Sequence, residues 1–380
     1  MSAASHSVRA VVLVAFLLLL TACGGHKQGL TVGAVEDAAQ FGDAQDQMQL
    51  AADSGMRAIA LSAVWHRGEN AVADQQLAGL RRAVAAADAN DIRPIISIYQ
   101  LSSDTPLTPA DRTDFASFAA SLARALPDVH DIVVGNEPNI DLFWRPQFSA
   151  TGDGDDAAAS AFETLLAQTY DALKAVDSSI DVIGVGLSPR GSDTTSPSRE
   201  THSPTAFLLD LGRAYRASGR TKPIMDALSL HPYGESPRVP PTFAHPHSSS
   251  IGIADYGKLV ALLAQAFGGT GQPGRDLPIV WGEYGVETTI PPAKARLYTG
   301  HEVVSTVDEA IQARYYTQAI RLAACQPTVR MLLFFHVVDE AALAGLQTGV
   351  YYANDAVKAG LPAVAAAAND AHDGRIQCKG

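Results

Sequence analysis

Short apolar, β-branched runs alternate along the chain with longer stretches whose apolar residues recur at helical spacing. The short runs predict eight strands, at residues 30–35, 58–64, 94–99, 131–135, 180–187, 224–231, 277–283 and 329–338. The longer stretches predict helices at residues 73–87, 112–126, 158–176, 204–218, 253–267 and 307–325, and an alanine-rich run at 363–371 predicts a last one. Regular alternation of strand and helix predicts a parallel sheet, and eight such pairs predict a single (β/α)8 TIM barrel over residues 29–375, followed by a tail at 376–380.

The connections between these elements differ in length at the two ends of the strands. Those from helix to strand are mostly short, whereas those from strand to helix are long and rich in Gly, Pro, Ser and Asp, as at 139–156, 188–203, 232–252 and 284–306. Long loops after the strands are typical of a barrel whose functional site lies at the C-terminal ends of its strands. No Gly-x-Gly-x-x-Gly follows the first strand, so a dinucleotide-binding sheet has little support.

Charge and composition narrow the possible partners. The 380 residues are 47% hydrophobic, with 28 basic and 40 acidic side chains and a formal net charge of -12. That balance excludes a disordered chain, and a negative surface repels nucleic acid and anionic lipid head groups. We therefore expect no nucleic-acid partner, and any membrane association must come from an anchor.

The first residues supply a candidate anchor. Arg9 precedes an eleven-residue apolar run, 10–20, which is too short to span a membrane and is typical of a signal peptide. The following Leu-Thr-Ala-Cys resembles the bacterial lipobox, which implies cleavage after residue 22, lipidation of Cys23 and a tether over 23–28. The alternative is an ordinary secretory signal with an incidental cysteine. We expect a lipoprotein of the cell envelope. That compartment permits disulfides, so Cys325 and Cys378 either form one or remain separate.

Two glutamates stand at the ends of predicted strands. Asn136, Glu137 and Pro138 end the fourth strand, and Glu283 ends the seventh. In a barrel of this kind, ionisable side chains at strand ends face the pocket that the loops enclose, and this favours catalysis. Either glutamate alone could instead be structural, since an acid followed by proline also suits the first turn of a helix.

With these motifs the chain resembles the retaining glycoside hydrolases with (β/α)8 barrels, the clan with cellulase-like and xylosidase-like members. The resemblance implies that Glu137 is the acid/base, that Glu283 is the nucleophile and that Asn136 binds the sugar's 2-hydroxyl. The sixth strand ends in His231-Pro232-Tyr233, which is similar to the clan's His-x-Tyr and implies that His231 and Tyr233 lie beside the glutamates. The implied reaction is hydrolysis of β-linked glycosides with retention of configuration, and it needs no cofactor.

The sequence departs from that clan at two positions. Many members carry an arginine on the second strand that hydrogen-bonds the nucleophile, but Ala60 occupies this position, and Arg57 lies three residues earlier. Many also place a tryptophan after the eighth strand, where this chain has His336 in the same neighbourhood. We expect Glu283 to lack that cation or to take one from another loop, and His336 to bind sugar in an altered subsite.

Several other side chains are candidates to line the cleft. Aromatic faces stack on sugar C–H surfaces, so Trp65, His66, Tyr99 and Trp144, each after a predicted strand, either line the cleft or pack within loops. Trp281 has the same strand parity as Glu283, and we expect it to fill the barrel interior. The remaining histidines lack the spacing of metal ligands, so no metal site is expected.

Two functions remain open from the sequence. The first is a membrane-anchored O-glycosidase with a carbohydrate substrate and no evident protein partner. The alternative is a catalytically weak carbohydrate-binding barrel lipoprotein, which the missing arginine at position 60 favours.

Overall fold

A computed structural model describes residues 29–150, 156–195 and 199–378. Eight parallel strands close into one barrel in chain order, with β1 paired to both β2 and β8. The strands are β1 Thr31–Val35, β2 Ala58–Val64, β3 Arg93–Tyr99, β4 Asp131–Val134, β5 Asp181–Leu187, β6 Ala227–Leu230, β7 Ile279–Tyr284 and β8 Val329–Phe335. The predicted (β/α)8 barrel is confirmed.

Helices follow the strands and surround the barrel. They are α1 Ala38–Phe41, α2 Ala44–Asp53, α3 Asp74–Ala89, α4 Pro109–Ala125, α5 Ala157–Val176, α6 Pro204–Ala217, α7 Tyr256–Phe267, α8 Glu309–Ala324 and α9 Leu361–His372. The seven predicted helices are all present, whereas α1 and α2 were not predicted. Asp43 caps α2 by accepting hydrogen bonds from the backbone N–H groups of Gln45 and Asp46, a signal that is visible in the sequence.

The period of two along each strand produces two separate apolar layers. In β2, Ala58 and Ala60 point into the barrel, whereas Ile59 and Leu61 point out toward the helices. The interior layer is small and is made of Ala58, Ala60, Ile95, Val133, Ile183, Ala227, Val280, Met331 and Leu333. The barrel is therefore filled by side chains and leaves room for a cavity only above this layer, where the long loops begin.

Ionic side chains occupy the opposite, N-terminal end of the strands. Asp131 at the start of β4 is fully buried and forms ion pairs with Arg93 and with Arg330, which reaches across the barrel to Asp181 as well. Burial raises the pKa of Asp131, while the two guanidinium groups oppose that rise. This network holds four strands together at the end away from the long loops.

The last residues are joined to the barrel wall by a covalent bond. Cys325, after α8, and Cys378, in the tail, form a disulfide with Cα atoms 5.4 Å apart.

The signal peptide and tether predicted over residues 1–28, Cys23 included, lie outside the described residues. Among the residues that are described, no helix combines the length and the apolar character needed to cross a membrane.

Breaking the disulfide is expected to destabilise the fold without altering its strands. The bond closes a loop across a separation of 53 residues, and a loop of this size lowers the entropy of the unfolded chain enough to contribute about 2–4 kcal/mol to the free energy of unfolding. Denaturant unfolding with and without reductant measures this contribution. The double variant Cys325→Ser/Cys378→Ser should match the reduced protein and ignore reductant. An oxidised protein no more stable than this variant would contradict the expectation.

Candidate active site

A cavity of about 940 Å³ opens at the C-terminal ends of the strands. It is lined by the side chains of both strand-end glutamates and by most of the polar residues predicted beside them. These are Asn136, Glu137, His231, Tyr233, Glu283, Tyr99 and His336. The chain thus brings together residues that are up to 237 positions apart, from Tyr99 to His336, because parallel strands end at the same rim.

Backbone conformation directs Glu137 into the cavity. Gly135 has φ +97°, and a Cβ there would lie 2.6 Å from the ring of Phe162, so only glycine fits. Glu137 itself has φ +42°, a left-handed conformation that is uncommon for a residue with a side chain, and its N–H donates to the carbonyl of Gly186 at 2.8 Å. Strain of this kind persists where the surroundings impose it, and it is concentrated at functional sites.

One imidazole lies between the two carboxylates. His231 Nδ1 is 3.2 Å from Glu137 Oε1 and 3.5 Å from Glu283 Oε2, and the His231 side chain is buried. Burial alone lowers the pKa of His231, but the charges of Glu283 and Glu137 and the hydrogen bond to Glu137 together raise it above its ordinary value. A protonated His231 therefore neutralises part of the repulsion between the two glutamates.

Two glycines make room for this imidazole. A Cβ on Gly282 would lie 2.2 Å from Ser229 Oγ and 3.1 Å from His231 Cδ2, and a Cβ on Gly186 would lie 3.2 Å from His231 Nε2. Gly186 also has φ +62°, which side chains disfavour. The ring of His231 is consequently fixed by close backbone on both sides, and its Nδ1 faces the carboxylates.

Tyr233 holds the second glutamate. Its hydroxyl donates a hydrogen bond to Glu283 Oε2 at 3.1 Å. Burial and the charges of Glu283 and Glu137 raise the pKa of Tyr233 well above its usual value, so the hydroxyl keeps its proton. Burial likewise raises the pKa of Glu283, and Glu137 adds to that rise, whereas His231 and the Tyr233 hydrogen bond lower it. The ionised form of Glu283 thus depends on these two neighbours.

No cation of β2 contacts Glu283 in the described residues. Ala60 lines the cavity floor, and Arg57 bonds instead to Asn369 on α9. Within the described part of the chain, His231 is the one basic group that pairs with Glu283. His336 stands nearby with φ +73° just after β8, and its charge also lowers the pKa of Glu283. Histidines therefore occupy the place of a permanent cation.

Three of the predicted aromatic positions do not line this cavity. Trp65 and Trp144 are fully buried, so the prediction that they contact a ligand in the cleft is wrong. Trp65 donates its indole N–H to the carbonyl of Glu69, and Trp144 packs edge-on against Phe162 on α5. His66 is exposed beside Asp104 and lines a separate groove, which reaches the main cavity at Tyr99.

Trp281 is also placed differently from the prediction. It packs in the layer between strands and helices, with its indole N–H on Gln326, and not in the barrel interior. The pairing of β7 with β8 is irregular between Trp281 and Tyr284. This bulge changes the side-chain parity, so that Glu283 reaches the cavity although Trp281 faces outward.

Sequence reasoning missed the cations that line the cavity. Arg190 and Arg199 both belong to the loop after β5, and Arg190 Nη1 donates to the carbonyl of Tyr233 at 2.7 Å. The available signal was the position of two arginines in a long loop after a strand.

No cluster of three or more candidate metal ligands occurs in the described ranges. His245, for example, bonds to Glu235 and Asp255.

The fold and site together define a (β/α)8 barrel with two carboxylates facing each other at its mouth. No protein-family model matches the chain, and no curated protein matches its sequence.

Solved structures do share its fold. A family 39 glycoside hydrolase from Bacteroides cellulosilyticus is 16% identical with a TM-score of 0.65, over 90% of this chain and 64% of that one. A glucosidase from Croceicoccus marinus is 13% identical with a TM-score of 0.60, over 91% and 68%. A broad-specificity endoglucanase from Clostridium longisporum is 13% identical with a TM-score of 0.54, over 92% and 97%. The chain thus spans less than two thirds of the first of these proteins, and at such identities the similarity establishes the fold.

Removing the Tyr233 hydroxyl is expected to raise the pKa of Glu283. The Tyr233→Phe variant loses a donor to the ionised carboxylate, and a lost hydrogen bond to the charged form disfavours that form. NMR titration of carboxyl-labelled glutamate measures the change. Tyr215→Phe is the matched control, because its hydroxyl donates to the carbonyl of Lys222 outside the cavity. An unchanged or lower pKa of Glu283 in Tyr233→Phe would show that the hydrogen bond does not support the anion.

Proposed function

We propose that this protein is a retaining glycoside hydrolase that cleaves β-linked glycosides of a poly- or oligosaccharide. The observation that supports this most directly is the sharing of one imidazole nitrogen by Glu137 and Glu283. Distances of 3.2 and 3.5 Å from that nitrogen limit the separation of the two carboxylate oxygens to about 6.7 Å. This limit, which applies to one oxygen of each group, is compatible with the ~5–5.5 Å spacing of the carboxyl groups in retaining enzymes.

In the proposed reaction the two glutamates act on opposite sides of one bond. Glu137 donates its proton to the glycosidic oxygen while the carboxylate of Glu283 attacks the anomeric carbon, so the C–O bond to the leaving group breaks and a glycosyl ester forms. Glu137 then takes a proton from water, whose oxygen attacks the same carbon and releases Glu283. All atoms come from the substrate, the two glutamates and water, so no cofactor is required.

The neighbouring side chains support these roles. Ionised Glu283 is the form that attacks, and His231 and Tyr233 both favour it. Asn136 lines the same cavity next to Glu137, in a position suited to bind a sugar hydroxyl. Glycoside hydrolases with the same fold, among them the family 39 enzyme and the endoglucanase, add support for a carbohydrate substrate.

Replacing either glutamate by glutamine is expected to abolish turnover. The purified protein would be incubated with a panel of aryl β-glycosides, and phenol release should fall by about 100-fold or more in Glu137→Gln and in Glu283→Gln. Thermal unfolding should be nearly unchanged in both variants, since each substitution keeps the shape of the side chain. Exposed Glu302 provides the control, Glu302→Gln.

Substrates with different leaving groups distinguish the acid/base role of Glu137 from the nucleophile role of Glu283. A substrate with an acidic phenol needs little protonation, so Glu137→Gln should regain part of its activity on it, whereas Glu283→Gln should not. NMR of the first product should show retained β configuration. Full activity in both variants would overturn the assignment, and sugar binding without hydrolysis by the intact protein across a broad glycan panel would favour the alternative, a binding-only barrel.

We also propose that Cys23 carries a lipid that anchors the protein to the cell envelope. This rests on the charged start, the apolar run and the Leu-Thr-Ala-Cys motif of residues 1–23. Expressed in a bacterial host, the full chain should sediment with membranes and be released by detergent, whereas Cys23→Ser should lose acylation, measured as incorporation of labelled fatty acid. Cys378→Ser is the control thiol. Equal labelling of the Cys23→Ser variant would contradict the anchor.

A further inference from the structure

The loop after β5 encloses a second pocket beside the main cavity. Its volume is about 510 Å³, and it is lined by Arg190, Gly191, Ser192, Thr194, Arg199 and Thr201. Both arginines also line the main cavity, so the two spaces are neighbours. The pocket presents two guanidinium groups and three hydroxyls, and the described residues that line it include no acidic side chain and no large apolar one. Such a lining is suited to an anion.

Within the described residues, no ion pair neutralises the two arginines of this pocket. Neither Arg190 nor Arg199 forms an ion pair with a carboxylate of the described residues, although the chain has a net charge of -12. Some arginines elsewhere are paired, for instance Arg220 with Asp171, whereas others, such as Arg57, bond only to carbonyl and amide oxygens. The loop carries two acids, Asp193 and Glu200, and neither lines the pocket; Asp193 accepts a hydrogen bond from the backbone N–H of Ser203 at 2.5 Å.

Arg190 is held in place with donors to spare. It is half-buried, and one of its N–H groups donates to the carbonyl of Tyr233. Burial lowers the pKa of Arg190, although the charges of Glu235 and Glu137 oppose this. A guanidinium that is partly desolvated and lacks a close anion gains more from a ligand anion than a solvated one does.

The pocket lies on the Glu137 side of the cavity. Ser188, at the start of the same loop, exchanges two hydrogen bonds with Asn139, which follows Glu137 closely in sequence. Glu283, by contrast, is on β7, with β6 between it and β5. If Glu137 is the acid/base, as proposed above, the leaving group of the substrate lies on this side, because the acid must reach the leaving oxygen.

The opposite wall repels anions. In the closed barrel, β1 and β8 face β5 across the cavity, and their loops contribute the carboxylates of Glu36, Asp37, Glu340 and Asp355 to its lining. The arginines among the described lining residues of the cavity are those of the β5 loop, so an anionic ligand is stabilised there. Charge thus fixes the direction in which a charged sugar can lie.

We propose that Arg190 and Arg199 form a subsite for an anionic substituent, a carboxylate or a sulfate ester, on the leaving-group sugar. The planar guanidinium groups offer paired donors to such an oxyanion, and the hydroxyls of Ser192, Thr194 and Thr201 are within the same pocket. The natural substrate is then an acidic glycan. This inference rests on the proposed function for its assignment to the leaving-group side.

Binding of small sugars tests the subsite without turnover. Affinities of the full chain for sodium glucuronate, glucose 6-sulfate and glucose would be measured by NMR titration. At least one anionic sugar should bind about tenfold or more tightly than glucose, and rising ionic strength should weaken this preference. A preference for glucuronate indicates a uronic acid, and a preference for the sulfate ester indicates a sulfated glycan.

Variants assign the preference to the two arginines. The double variant Arg190→Gln/Arg199→Gln should bind all three sugars alike, and Arg199→Gln alone should lose part of the preference. The second variant guards against misfolding, because Arg199 is exposed whereas Arg190 holds Tyr233. Arg81→Gln, at an exposed position of α3, is the control and should keep the preference.

Two results would overturn the subsite: equal affinities for charged and neutral sugars in the unmodified protein, or a preference that survives in the double variant. Failure of the proposed function has a different signature. A protein that prefers anions through both arginines but hydrolyses no glycoside would retain the anion site and lose the glycosidase assignment. Glutamate-dependent hydrolysis without any anion preference would refute the subsite alone.

Discussion

The arrangement of side chains at the mouth of this barrel depends on one constraint, which is that two carboxylates share a cavity. When both are ionised they repel each other in a partly dehydrated site, so a donor between them is stabilising. His231 is that donor, within 3.2 Å of Glu137 and 3.5 Å of Glu283. The glycines at 186 and 282 leave the space that this imidazole needs.

The two ends of the barrel use buried charge for different purposes. At the N-terminal end, Asp131 is matched by two arginines, so its charge is nearly compensated and serves to hold strands together. At the C-terminal end, Glu137 and Glu283 share a single titratable partner, and the local charge is left unbalanced. In (β/α)8 barrels generally, residues at the N-terminal ends of the strands serve stability and those at the C-terminal ends serve function. The distribution of buried charge in this barrel follows the same division.

The sequence predicted the features that depend on hydrophobic periodicity and on the positions of the strand ends. Eight apolar runs predicted the barrel, and the rule that strands end at one rim placed Glu137, His231, Tyr233 and Glu283 together, as the structure has them. The positions of loop aromatics could not be predicted in this way. Trp65 turns inward because Glu69 offers a carbonyl and Phe115 an edge, contacts that exist only after folding.

Other errors have equally local causes. The parity of Trp281 was wrong because a bulge in β7 shifts the register, and a bulge leaves no mark in the apolar pattern. The pocket after β5 was missed because its two arginines are nine positions apart in a loop, where sequence spacing does not indicate proximity. Only the folded loop shows that both face the same space.

Ala60 determines how the charge of the cavity responds to pH. An arginine beside Glu283 would remain protonated at every pH the fold survives, whereas His231 can lose its proton. As pH rises through the raised pKa of His231, the imidazole becomes neutral, its attraction for both carboxylates disappears and the repulsion between them is no longer offset. Ionised Glu283 then keeps the hydrogen bond from Tyr233, which also lowers its pKa. A histidine in place of a permanent cation thus couples the charge state of the whole site to a single proton, and the arginines after β5, which lie on the Glu137 side, cannot replace it.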